Sequence, residues 1–141
     1  MHLSIITPEK TIYDHDVDQV TLQTVEGEIT ILPHHIPYVA ELKPGELRVV
    51  RAGKEEPLVC AGGFVQVLDG DRVAILADDA LRVEELDLAA IEAARDRAQQ
   101  ALTEQRHGDD VAHAAAAAIL ERELARYRVA TKYRRPRGGT P

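Results

Sequence analysis

The sequence predicts two consecutive architectures: a β-sandwich of antiparallel strands in the N-terminal part, then an antiparallel α-helical hairpin. Three observations carry this. Up to Leu76 the chain breaks into short runs in which apolar and polar residues alternate, with a turn signal about every 8–12 residues. From Asp78 the pattern changes, and apolar residues recur at helical spacing over 87–105 and 110–132. Phe64 is the sole phenylalanine and tryptophan is absent, so the core is built from Val, Leu, Ile and Ala.

The strands follow in order. His2–Ile6 is the first, ended by Thr7-Pro8, and Thr11–Tyr13 is a short second. Asp14-His15-Asp16-Val17-Asp18 resembles the start of a calcium loop, but the sixth and twelfth positions are Gln19 and Val25 where an EF-hand needs Gly and Glu. It is read as a solvated acidic bend. Val20, Leu22 and Thr24 alternate with Thr21 and Gln23, as in a half-buried strand. Tyr38–Leu42 and Glu46–Arg51 flank Lys43-Pro44-Gly45, whose proline and glycine suit a type II turn. Ala52–Glu56 is a charged hairpin tip and Leu58–Ala61 returns. Gly62-Gly63 marks a bulge or a close backbone approach. Phe64–Leu68 and Arg72–Leu76 are joined by Asp69-Gly70-Asp71, a hairpin signal. No helix interrupts these strands, so antiparallel pairing is expected throughout.

Asp87 is placed to cap a helix running to about Gln105, with Leu88, Ile91, Ala94, Ala98, Ala101 and Leu102 on its apolar side and His107-Gly108 as its stop. Asp109 or Asp110 caps a second helix, whose apolar side includes Ala116, Ile119, Leu120, Leu124 and Tyr127. The run Ala114–Ala118 favours helix but buries little area, which predicts a weakly held hairpin able to detach or open. The expected organisation is a sandwich over 1–84, a hairpin over 85–133 and a basic, disordered tail over 134–141.

Charge is uneven. Residues 1–84 hold 7 Lys/Arg against 15 Asp/Glu, and residues 85–141 hold 10 against 9. An acidic first part argues against nucleic-acid binding, which needs a basic footprint. Cys60 lies in an apolar run and reads as a buried, inert thiol. The N-terminal residues lack a signal-peptide pattern, and no apolar run approaches the ~20 residues of a membrane span.

The candidate site is Glu26–Pro37, EGEITILPHHIP. Ile29 and Ile31 alternate as the end of a strand; Pro33, with no N–H, stops the ladder, and Pro37 keeps its predecessor extended. The expectation is a stiff polar loop at a sheet edge, with Glu26, Glu28, His34 and His35 in one small patch. No nucleophile elbow or Ser/His/Asp signature is present. Adjacent histidines on a strand point oppositely and further ligands at suitable spacing are missing, so no metal site, catalytic residue or cofactor is expected. Two functional classes fit: an interaction subunit, or a free-standing β-sandwich module that binds a ligand or protein.

EGEITILPHHIP resembles the signature loop of the ε subunit of bacterial F-type ATP synthases. Leu42–Val49, Gly62–Val67 and Val73–Asp78 agree with that family in order and spacing, and the likeness covers roughly residues 2–133. The resemblance implies a non-catalytic subunit of the central rotor stalk, coupling ion flow through the ring of c subunits to ATP synthesis. Its implied partners are γ, the c ring, and the α and β subunits of the catalytic head. Its implied place is the cytoplasmic face of the bacterial inner membrane, held there only through the complex. Glu28 and His35 match family positions that touch the polar loops of the ring; Glu26, Thr30, Pro33 and His34 are their neighbours. The family's hairpin either folds on the sandwich or extends into the head and blocks ATP hydrolysis. Arg122, Arg126, Arg128 and Lys132, with the arginines of the tail, would then meet acidic segments there. Some members bind ATP through Ile/Leu-Asp-x-x-Arg-Ala. Here that stretch is degenerate: Leu86 and Asp87 are kept, but Ala90 and Ile91 stand in place of the Arg and Ala.

Overall fold

In the computed structural model, which describes residues 1–105 and 109–133, ten strands precede two helices. The strands are β1 (His2–Ile6), β2 (Thr11–Asp16), β3 (Gln19–Thr24), β4 (Gly27–Ile31), β5 (Tyr38–Leu42), β6 (Gly45–Arg51), β7 (Lys54–Cys60), β8 (Gly63–Leu68), β9 (Arg72–Ala77) and β10 (Ala80–Arg82). A 3-10 turn, Val83–Glu85, leads to α1 (Leu88–Glu104) and α2 (Asp110–Tyr133). The chain divides into two compact units, the first being Met1–Arg82 and the second starting at Val83. The predicted helix stop at His107-Gly108 and the tail from Arg134 lie outside the described residues.

In the first unit the strands follow the order β10-β7-β6-β3-β5-β8-β9-β1-β2, with β4 added to β3. The sheet folds over a core that includes Leu3, Ile5, Leu22, Leu47, Val65 and Ile75. Its two ends meet: a guanidinium N–H of Arg82 in β10 donates to the Ile12 carbonyl in β2 at 3.3 Å. A fully antiparallel sheet is corrected in one place. β1 pairs parallel with β9, from His2↔Arg72 to Ile6↔Leu76. Parallel pairing needs a long connection, and here the seven intervening strands supply it in place of a helix.

Four further expectations change. β2 continues through Asp14–Asp16, where a solvated bend was expected. The reason is the His2 imidazole, which pairs with Asp16 at 2.9 Å and with Asp14, pinning β2 to β1. The carboxylates of Asp16 and Asp14 hold His2 above the usual histidine range, while His2 and the Ser4 hydroxyl hold Asp14 below its own. The tip between β6 and β7 is only Ala52-Gly53, because Lys54–Glu56 already pair with Val49–Arg51. Gly45 keeps an ordinary φ, so Lys43–Gly45 is no type II turn. Its glycine is spatial instead: a Cβ would lie 2.8 Å from Gln23 Cγ. Finally, the strand pattern does not end at β9, since β10 pairs with β7.

In the second unit Asp87 caps α1 as expected, accepting from the Ala90 N–H at 3.3 Å. Asp109 caps α2: its carboxylate accepts from Val111 N–H at 3.1 Å and its carbonyl from His113 N–H at 2.9 Å. The helices meet through Arg95, whose guanidinium lies 4.4 Å from the Tyr127 ring centroid. The buried positions of α2 are Ala116, Glu123, Ala125, Val129 and Ala130, whereas Ile119, expected on the apolar side, is exposed. An alanine-rich helix has no marked apolar stripe, so its buried side was not readable from spacing.

Gly63 generates a prediction. It has φ +130 and pairs with Ala77, and a Cβ there would lie 2.1 Å from the Leu76 carbonyl oxygen. Backbone cannot yield as a flexible side chain does. Gly63→Ala is expected to destabilise by about 2–4 kcal/mol and lower Tm by roughly 10 °C or more, read by calorimetry.

Candidate interaction surfaces

The site begins at β4, which pairs only with β3 among the described strands. Alternation turns Ile29 and Ile31 inward and leaves Glu28 and Thr30 exposed. Glu28 accepts from the Gln23 amide at 2.6 Å and from Arg48 at 3.3 Å, while the hydroxyls of Thr30 and Thr21 lie 2.8 Å apart. Glu26 sits in the turn before β4. Beyond the other end, Leu32–Pro37 are all exposed. Glu26 therefore stands at the opposite end of β4 from His34 and His35, with Glu28 on the strand between them. The length of β4, roughly 13 Å at ~3.3 Å per residue, separates Glu26 from the loop.

The loop itself is built, not slack. Pro33 ends the ladder, and His34 then takes a left-handed φ of +66. Its N–H donates to Asp71 Oδ1 at 2.8 Å. The next residue, His35, donates from Nδ1 to the Ile36 carbonyl at 2.6 Å, and its ring lies 5.9 Å from that of Tyr38. This fixes the imidazole and leaves Nε2 as the nitrogen a partner can use. No group of three or more His, Cys, Asp or Glu side chains that could hold a metal ion is formed among the described residues.

A second surface escaped sequence reasoning. Ile6 on β1, Leu76 on β9 and Phe64 on β8 stand directly opposite one another in register. They are 38%, 49% and 53% exposed, and Val39 on the neighbouring β5 is 63% exposed. A solvent-facing row of large apolar side chains across adjacent strands is a partner surface in waiting. The available signal was apolar residues on both faces of β8 and β9, as in Phe64-Val65 and Ile75-Leu76.

The remaining predicted positions are dispersed. Leu86 is buried, Asp87 is occupied as a helix cap, and Ala90 and Ile91 follow within the first turn of α1. On α2, Arg126 donates to Glu123 at 3.0 Å, and the Lys132 ammonium lies 5.1 Å from the Tyr133 ring centroid. Arg122 is half-buried and Arg128 exposed. Cys60 is buried, and burial pushes its thiol up to about 11, so it is not a nucleophile at neutral pH. No helix among the described residues is long and apolar enough to cross a membrane.

Residues 1–83 match the family model described as the β-sandwich domain of the ATP synthase delta/epsilon chain. The ATP synthase epsilon chain of Herpetosiphon aurantiacus is 42% identical over 137 residues, covering 97% of this chain and 98% of that one. The epsilon chain of Nitratidesulfovibrio vulgaris is 40% identical over 129 residues, covering 92% and 94%. A chain in the cryo-EM structure of the Euglena gracilis mitochondrial ATP synthase, OSCP/F1/c-ring, superposes with a TM-score of 0.74 at 28% identity, covering 87% of this chain and 76% of that one. Likeness along nearly the whole length sets this reading above that of a free-standing binding module. The chain belongs to the ATP synthase delta/epsilon family, among its epsilon chains.

Proposed function

We propose that the chain is a non-catalytic subunit of the central stalk of an F-type ATP synthase. It links the c ring to the γ shaft, so that rotation driven by ion flow reaches the head where ATP is made. It sits peripherally on the cytoplasmic face of the bacterial inner membrane, held there by the complex. The observation that carries this reading is the pair of outward surfaces on one unit. The row Ile6–Leu76–Phe64, with Val39, suits an apolar face of γ. The exposed residues of β4 and its loop, Glu26, Glu28, Thr30, Pro33, His34 and His35, suit short polar loops of the ring, where rim charges set register and orientation.

The helical hairpin is the regulatory part. Its buried side chains are mostly alanine, with Ile91, Glu123 and Val129, and Arg95 lies on Tyr127, so opening it costs only modest apolar burial. Over 119–141 the sequence holds seven basic residues and two acidic ones. Four of the seven, Arg122, Arg126, Arg128 and Lys132, lie on α2. Extended along γ, they would meet acidic segments of the α and β subunits and stop ATP hydrolysis; folded, they release it. This is a switch between two packings of one segment. A solvated helix face would explain Arg122 alone, but not the excess over the whole stretch.

Three outcomes are expected. First, Glu28→Lys with His35→Asp weakens docking on the c ring, and Leu76→Asp weakens assembly with γ. Pull-down of the reconstituted stalk reads both. All three changes are at exposed side chains, and Glu28's ion pair with Arg48 is half-exposed, so Tm shifts by only a few degrees. A large fall in Tm would mean these residues serve the fold and not a partner. Second, a chain stopped after Glu85 keeps a folded sandwich and still joins the stalk. The rebuilt enzyme hydrolyses ATP faster than with the full chain, and the difference narrows at high salt as the charge attraction is screened. Equal rates for both chains would leave the hairpin a strut. Third, the isolated chain binds ATP weakly, because Ala90 supplies no charge where the motif has Arg and Asp87 is engaged at the helix cap. Calorimetry should give a Kd above ~0.1 mM, weaker than about −5.5 kcal/mol.

A further inference from the structure

We propose that Asp71 is the positioning residue of the loop between β4 and β5. The proposal rests on the docking role given to that loop above, but its geometry stands apart from that role. His34 holds a backbone conformation that is unfavourable for any residue with a Cβ. Its N–H meets no strand partner and donates instead to Asp71 Oδ1 at 2.8 Å, from a turn 37 residues further along the chain. Pro33 and Pro37 have no N–H, so the loop has few backbone donors by which to be tied down. The His34 amide is one of them, at the loop's middle and next to His35.

Asp71 is itself anchored. It occupies the β8–β9 turn at φ +59, which a short Asp side chain tolerates. Its carbonyl accepts from the His2 N–H at 2.9 Å, fixing the turn to β1. Its second carboxylate oxygen lies 3.4 Å from the Met1 amino group. The His34 N–H is the main cause that holds the Asp71 carboxyl below the usual carboxylate range. The bond is therefore charge-assisted at neutral pH, which is the stronger kind. A turn made by β8 and β9 thus sets where His34 and His35 stand, although neither strand pairs with β4.

Two substitutions separate positioning from a plain turn role. Asp71→Gly keeps the left-handed backbone without strain and deletes the acceptor. Asp71→Asn keeps an acceptor oxygen and also tolerates that backbone. In the full-length chain, hydrogen exchange at the His34 amide, read by NMR, should quicken about tenfold in Asp71→Gly, the factor one such hydrogen bond is worth. It should change far less in Asp71→Asn, with Tm near wild type for both. Binding of the same chains to the rest of the enzyme complex, stripped of this subunit, should weaken for Asp71→Gly only. Unchanged His34 exchange in Asp71→Gly overturns the proposal. Faster exchange with undiminished binding keeps the positioning and overturns the docking role of the loop instead.

Discussion

The parallel pairing of β1 with β9 is the contact on which the sandwich depends. It joins the first strand of the unit to the ninth and places β1 between β9 and β2. Without it, the β1–β2 pair would be cut off from the rest of the sheet, and the Arg82–Ile12 closure between the sheet's ends would have nothing to close. Loop closure over about 70 residues costs little more than over 35, because the penalty grows only with the logarithm of length. What makes the pairing specific is burial: Leu3 and Ile5 face the core, and a slip of one residue would turn them to solvent.

The same register creates both outward surfaces. Aligning Ile6 with Leu76, and Leu76 with Phe64, lines three apolar side chains across three strands. Bringing His2 to Arg72 sets the turn at Asp71 against β1, and Asp71 then holds His34. One closure therefore organises an apolar surface and a polar loop on a rigid body, as a subunit that transmits torque between two partners requires. Gly63 belongs to the same system, since only a glycine lets β8 approach β9 so closely at the end of the row. The helical unit follows the opposite logic. Its caps are good, its buried side chains are mostly alanine, and one of its acids, Glu123, is buried in an ion pair with Arg126.

Local features were legible in the sequence. Pro33 ends β4, Asp69-Gly70-Asp71 makes the β8–β9 turn and Asp87 caps α1, because each acts on backbone within a few residues. The exposure of the loop and the inertness of Cys60 were legible for similar reasons. What the sequence hid is long-range. Nothing near His2 announces a parallel partner at Arg72, and nothing near Asp71 announces that its carboxylate serves His34. The acidic run Asp14–Asp16 looked like a bend because its hydrogen-bond partner, His2, is supplied by another strand. That a strand's length separates Glu26 from the histidines is invisible in a list of residues. Three-residue β10 was too short to show a period, and an alanine-rich helix offered no contrast between its faces.

In the proposed role, one sandwich bridges two partners through two different surfaces. The most direct measurement is a cryo-EM structure of the intact synthase carrying this chain. Bridging requires that γ cover Ile6, Phe64 and Leu76, while His35 and Glu28 meet the polar loops of the c ring and His34 remains bonded to Asp71. A map in which that apolar row faces solvent, or in which the β4–β5 loop points away from the ring, would contradict it.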